Sequence, residues 1–171
     1  MIICIDTETT GLTPGEDELL QVSIVDGKGS LLFNEYIQPE RATEWPGAQL
    51  INHITPAMVA GCPTIGELVP HLNEIFATAD TIAGYNTKFD LDFLRAAGVA
   101  VPERARIIDV MEIYALVAGD WDEEKERFRY KKLTACAAHY GYEWPGGPHD
   151  SLQDALATLF CWPRAEADLM P

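Results

Sequence analysis

A chain of 171 residues is long enough for one domain with a real hydrophobic core and too short for two of comfortable size. Its hydrophobic fraction of 47% and charged fraction of 23% are ordinary for a globular protein, and no apolar run reaches the length of a membrane helix, so no membrane partner is expected. The net charge of −15 excludes a globally basic surface that grips phosphates, so any contact with nucleic acid has to be local and assisted by bound cations.

The chain opens with Ile2 to Asp6, a short apolar strand signal running into Asp6-Thr7-Glu8. It lacks the basic start and apolar stretch of a signal peptide, so a cytoplasmic location is expected. Leu12 to Asp17 reads as a turn, followed by strands at Leu19–Asp26 and Leu31–Gln38 around the hairpin break Asp26-Gly27-Lys28-Gly29. These three strands form an antiparallel meander. From Thr55 the period becomes helical: Thr55-Pro56 starts a short helix, and Thr64 to Thr78 carries Ile65, Leu68, Val69, Leu72, Ile75 and Phe76 at helical spacing. Thr81–Tyr85 is a brief strand, and a helix capped by Asn86 or Thr87 runs to about Ala97, ending at Gly98. Arg106–Val110 is the last strand, and helices follow at about 109–118, 131–140 and 151–161. Strands, then strand–helix alternation, then helices, give a single α/β domain over 1–171 with one mixed five-stranded sheet flanked by helices. The four cysteines, Cys4, Cys62, Cys136 and Cys161, are too scattered for a structural zinc site and read as reduced thiols.

Three acidic clusters carry the chemistry. Asp6 and Glu8 are two apart, so in a strand both carboxylates point to one side, and like charges held close need a cation. A solvated turn explains this pair equally well on its own. Asp90, in Asn86-Thr87-Lys88-Phe89-Asp90, falls in the first turn of a helix, where the macrodipole alone favours an acid. His149 follows Gly146-Gly147-Pro148, which cannot belong to a regular helix, whereas Asp154 lies in the first turns of the last helix. A histidine on the loop and an aspartate on the helix can reach one site. Asp150 as N-cap, and Ser151 with Asp154 as a capping box, are the structural alternative.

Taken together, DTETTG, NTKFD and HDSLQD, in that order over residues 2 to 159, resemble the DEDDh 3′–5′ exonuclease family. That family includes the proofreading epsilon subunit of bacterial DNA polymerase III, ribonuclease T and oligoribonuclease, and has a ribonuclease H-like fold. The histidine type is indicated because His149 stands five residues before Asp154, while the position four before, a tyrosine in the sister group, is Asp150. The resemblance implies a phosphodiester hydrolase releasing nucleoside monophosphates from 3′ ends with two divalent cations, Mg²⁺ or Mn²⁺, which suit carboxylate oxygens. It implies that Asp6, Glu8 and Asp154 hold one ion, that Asp6 bridges to the other, and that Asp90 acts largely through water. His149 is then the general base, with an ordinary imidazole pKa of about 6.5 near working pH.

The same resemblance points to Thr9 and Thr10 for the terminal nucleotide and its 3′ hydroxyl, with Asn86 at the second motif and with Leu12 and Phe89 flanking the base. Leu12 and Phe89 are equally good core residues, and His53 is read as structural. DNA is slightly favoured over RNA, with RNA trimming or cleavage of very short oligonucleotides as the alternative and an inactive nucleic-acid-binding module as the reading from another class. The chain ends only 17 residues after Asp154, which argues against tight polymerase attachment, and a homodimer is the oligomer that relatives suggest. Finally, Lys125, Arg127, Arg129, Lys131 and Lys132 alternate with Phe128 and Tyr130 in the loop from Gly119 to Lys132. Either this segment, Arg127 and Arg129 foremost, tracks a single strand by phosphate contacts and stacking, or its cations pair with Glu123, Glu124 and Glu126 on a charged surface.

Overall fold

The computed structural model describes residues 1–147 and 149–170. The loop expected before His149 is therefore seen at Gly146 and Gly147, and Pro148 lies outside the described residues.

Strands β1 (Ile2–Thr9), β2 (Leu19–Asp26) and β3 (Leu31–Tyr36) form the antiparallel meander, and β4 (Thr81–Gly84) and β5 (Arg106–Asp109) add in parallel on the other side of β1. The sheet order is β3-β2-β1-β4-β5. The mixed five-stranded sheet is thus present, with one difference that matters for the site. β1 does not stop at Asp6 but runs to Thr9, because β2 pairs with it through Glu8↔Gln21 before a register shift at Thr9. The Thr-rich end suits a strand. On its other edge β1 pairs with β4 only as far as Cys4↔Ala83. The end of β1 therefore projects past β4 into a crevice beyond the carboxyl ends of the parallel strands, the usual location of sites in such sheets.

Side-chain alternation divides the core into two layers. Ile3, Ile5, Val22 and Ile24 face α3 (Ile65–Ala77) and α4 (Thr87–Ala96), packing on Leu72, Phe76, Leu91 and Leu94. Cys4, Val25, Ala83 and Ile108 face α5 (Val110–Ala118), α6 (Leu133–Tyr140) and α7 (Ser151–Asp168). α7 runs further than expected, through Pro163. Its buried stripe of Ala155, Thr158, Cys161 and Ala165 continues past the proline, and this packing outweighs the roughly 3 kcal/mol that an interior proline costs a helix.

Two segments had not been anticipated. Pro46–Asn52 forms α1, joined to the four-residue α2 (Pro56–Val59), and the two pack on Leu20, Trp45 and Ile54. The segment expected as a loop after Gly119 holds a small hairpin, β6 (Trp121–Asp122) and β7 (Arg127–Phe128). No described helix is long and apolar enough to cross a membrane.

Candidate metal centre and nucleic-acid cleft

The alternation that puts Cys4 against α7 also turns Asp6 and Glu8 toward α7, and the Cys4 thiol meets the Ala155 carbonyl there at 3.3 Å. Two polar residues on the same face of β2 fix the start of that helix. Ser23 and Ser151 hydroxyls meet at 2.6 Å, the Gln21 Nε2 donates to Asp150 at 3.2 Å, and the Ser151 amide donates to the Gln21 Oε1 at 3.3 Å. Asp150 is the N-cap, accepting from the Gln153 amide. Asp154, one turn in, then stands over β1. Ligand oxygens of Asp6, Glu8 and Asp154 lie within 4.8 Å of one another.

Asp90 approaches from the opposite layer. Thr7 alternates with Asp6 and Glu8, so it faces α4, and its hydroxyl donates to Asp90 at 2.8 Å. The turn carrying α4 is held by Asp109, whose carboxylate accepts from the amides of Asn86 (2.9 Å), Thr87 (3.1 Å) and Met111 (3.0 Å). Asn86, with φ 67°, makes no side-chain cap, while the Thr87 hydroxyl donates to the Ile108 carbonyl.

The electrostatics are those of uncompensated acids. Burial first, then repulsion from Asp90, Asp154 and Glu8, pushes the Asp6 carboxyl well above its ordinary range. Burial and the Asp154 charge raise Glu8 to about 8. Burial raises Asp90 to about 7 against the opposing Thr7 hydrogen bond, and Asp154 to about 6 against the His149 amide. Among the described residues the ion pairs lie on Glu18, Asp80, Asp92, Asp120, Asp122 and Glu166, and none reaches these four groups. A site of oxygen donors without its own cation fits hard divalent ions.

His149, at φ 70°, is exposed on the loop before α7, and its amide lies 3.3 Å from the Asp154 Oδ1. Partial burial, then repulsion from His53 and Lys132, lowers its imidazole pKa. His53 itself is the left-handed cap of α1, a structural position.

Two cavities flank the carboxylates. The first, about 500 Å³, is lined by Glu8, Thr9, Thr10, Leu12 and Phe89 with Ile51 and Asn52 of α1. Leu12 is 81% exposed and so is not core, whereas Phe89 packs partly on the core. The Thr9 hydroxyl donates to the Gly11 carbonyl and the Thr10 hydroxyl accepts from the Glu18 amide, so both threonines are fixed by their own loop. Sequence reasoning missed Asn52, a buried side chain that donates to the Thr9 carbonyl at 3.2 Å and lies by Glu8, because α1 itself was not foreseen. The second cavity, about 510 Å³, reaches from Asp154 and His149 to the end of the hairpin at Tyr130, Lys131 and Lys132. Arg127, Arg129 and Asn86 line neither cavity.

A mixed sheet of the ribonuclease H-like fold delivers acids from β1, α4 and α7 to one crevice, beside two cavities, and makes there a carboxylate cluster that could hold a metal ion. The profile of the RNase T family, described as exonuclease, matches residues 3–160, and the chain belongs to that exonuclease family. It is 34% identical to a DNA polymerase III subunit epsilon-like protein of Rhodobacter capsulatus over 166 residues, covering 91% of this chain and 22% of that protein. It is 33% identical to the DNA polymerase III subunit epsilon of Treponema pallidum over 114 residues, 65% of this chain and 52% of that one. The chain thus spans about half or less of these relatives. The E. coli exonuclease I–single-stranded DNA complex in its zinc-bound form shares the fold with a TM-score of 0.75 at 21% identity, over 96% of this chain and 41% of that one.

Proposed function

We propose that the chain is a 3′–5′ exonuclease that releases nucleoside 5′-monophosphates one at a time from single-stranded 3′ ends, DNA first, using two Mg²⁺ or Mn²⁺ ions. The observation that carries this is the Asp6, Glu8 and Asp154 cluster, gathered without a protein cation between two cavities. Asp6, Glu8 and Asp154 would hold the ions, Asp6 being the residue shared between them, and Asp90 stands outside the trio on the Thr7 hydroxyl. When bound, such ions stabilise the attacking and leaving oxygens of a phosphodiester displacement. The terminal nucleotide occupies the first cavity, its base between Leu12 and Phe89 and its sugar end against Thr9 and Thr10. His149, beside Asp154, takes the proton of the attacking water, and the lowered pKa keeps its imidazole neutral and ready to accept that proton at neutral pH.

DNA is put first because one relative is named as a DNA polymerase III subunit and the other as similar to it, and a single strand because the solved neighbour is a single-stranded DNA complex. We place the activity in the cytoplasm, where the four free cysteines stay reduced. The test compares end-labelled single-stranded DNA, duplex DNA and RNA with Mn²⁺. Fastest stepwise shortening of single-stranded DNA is the expected result, faster shortening of RNA would reverse the substrate assignment, and binding without any shortening would mark an inactive module.

A further inference from the structure

The second cavity has a wall that the four carboxylates and His149 do not account for. Its far side is the return of the β6–β7 hairpin, Tyr130 to Lys132, carried to the cleft by a short tether: the Tyr85 hydroxyl, at the end of β4, donates to the Lys131 carbonyl at 2.7 Å. The cations of the hairpin do not share one role. Arg129 pairs with Asp122 at 3.2 Å and with Asp120 at 3.6 Å, and Lys131 pairs with Asp120, so these two cations hold the hairpin together. Lys132 makes no ion pair among the described residues and lines the cavity. Arg127 does something else again: its guanidinium lies 4.8 Å from the centre of the Tyr130 ring. Tyr130 lines the cavity and Arg127 does not, and 43% of the tyrosine is exposed.

Ile51 relates this space to the first cavity. It is 59% exposed, belongs to the walls of both cavities, and so stands as a partition between them. On the hydrolytic reading above, the nucleotide being removed lies on the Glu8 side of that partition. The strand it leaves must continue past Asp154 and His149, which are themselves on the second cavity's wall.

We infer that the second cavity is the subsite for the nucleotide on the 5′ side of the scissile phosphate, with Tyr130, backed by Arg127, stacking on its base and Lys132 meeting the next phosphate. This rests on the exonuclease reading for the polarity of the strand, and it replaces the expected pair Arg127 and Arg129 with Tyr130 and Lys132 as the residues in contact. An aromatic face and a free cation are the two elements by which single strands are held without regard to base identity. They also resolve how so acidic a chain holds a polyanion: the hairpin's own acids take up Arg129 and Lys131, and Lys132 is left where the strand passes.

Two binding measurements on the intact chain in Ca²⁺ separate the subsite from the metal site: fluorescence anisotropy with 5′-fluorescein oligothymidylate of ten residues, and calorimetry with thymidine 5′-monophosphate, which reaches only the first cavity. Tyr130→Ala should weaken the oligonucleotide roughly 5- to 150-fold, the span of losing one base stack, while the mononucleotide keeps its affinity. Tyr130→Phe, which keeps the ring, should bind as the wild type does. Lys132→Ala should lower the slope of log affinity against log salt by about 0.7, one single-strand phosphate contact. Unchanged oligonucleotide binding in Tyr130→Ala, or equal losses on both ligands, would overturn the subsite. The exonuclease reading fails separately, if the wild type releases no nucleotide while these binding differences persist.

Discussion

The carboxylates of the cleft and those of the hairpin are the same chemical group with opposite surroundings. Asp120 and Asp122 lie against Lys131 and Arg129, and those hydrogen-bonded cations hold their pKa values below the ordinary range. Asp6, Glu8, Asp90 and Asp154 face one another and buried backbone, and all four are raised. The hairpin is electrostatically finished as folded. The cleft is not, and a protein that buries acids together without a cation has been shaped around a charge it does not itself supply.

The largest effect expected from that contrast is on turnover. Asp6→Asn removes the carboxylate charge proposed to be common to both ions and should lower the rate at least about 10³-fold, because metal ions supply several kcal/mol of charge stabilisation to the transition state. The folded chain should be as stable as before or more so, since a repulsive charge is gone; a variant that loses activity only by unfolding would contradict this. His149→Ala should cost roughly 10²–10⁴-fold in rate, as expected for a general base, while leaving ion binding largely intact by calorimetry. Loss of ion binding in that variant would instead make His149 a ligand.

A smaller, thermodynamic effect follows from the pKa shifts. The cleft acids have folded-state values above their unfolded ones of about 4. Their contribution is therefore fully present below about pH 4 and is lost as pH rises through about 6 for Asp154, about 7 for Asp90 and about 8 for Glu8. Without metal, the melting temperature should be lower at pH 8.5 than at pH 5.5, and added Mn²⁺ should raise it more at pH 8.5. An equal rise at both values would mean that the ion does not bind the cleft acids. The hairpin acids run the other way, with a contribution present above their unfolded pKa and lost as pH falls through the depressed one. The smallest effect is expected here. Asp122→Asn should speed amide exchange over residues 120–131 and barely move the global melting temperature, since Arg129, its partner, is more than half exposed and such pairs contribute little. A fall comparable to a core truncation would contradict the view of the hairpin as a separate surface unit.

What could be read from the sequence follows the same division. The acids of the cleft sit in regular elements whose periodicity is strong, so their convergence could be reasoned from strand parity at Asp6 and Glu8 and from the loop-to-helix step at His149 and Asp154. The parts that position them were harder to see. Gln21 and Ser23 interrupt an otherwise apolar strand at alternate positions, a visible signal that something polar docks on that face, and α7 is what docks. Asp109 ends β5, and its capping of two helix starts could be found only from the fold. α1 gave no warning because seven residues with Pro46 and Gly47 at the start and no acidic first turn carry almost no helical signature. In the hairpin the density of charge was plain but its partners were not. Glu123, Glu124 and Glu126 were the nearer acids in sequence to the middle of the run, whereas strand pairing delivered Asp120 and Asp122.

The central claim is that the cleft becomes a nuclease when it receives its cations, and one experiment meets it directly. A 5′-end-labelled single-stranded oligonucleotide is incubated with the chain in Mn²⁺, in excess chelator, and with Asp6→Asn in Mn²⁺, and the products are resolved by length and weighed by mass spectrometry. The account predicts a ladder shortening by one residue at a time from the 3′ end, nucleoside 5′-monophosphates as the released product, and an unchanged substrate in the other two reactions. Internal fragments, 3′-monophosphates, or a full ladder in chelator would contradict it.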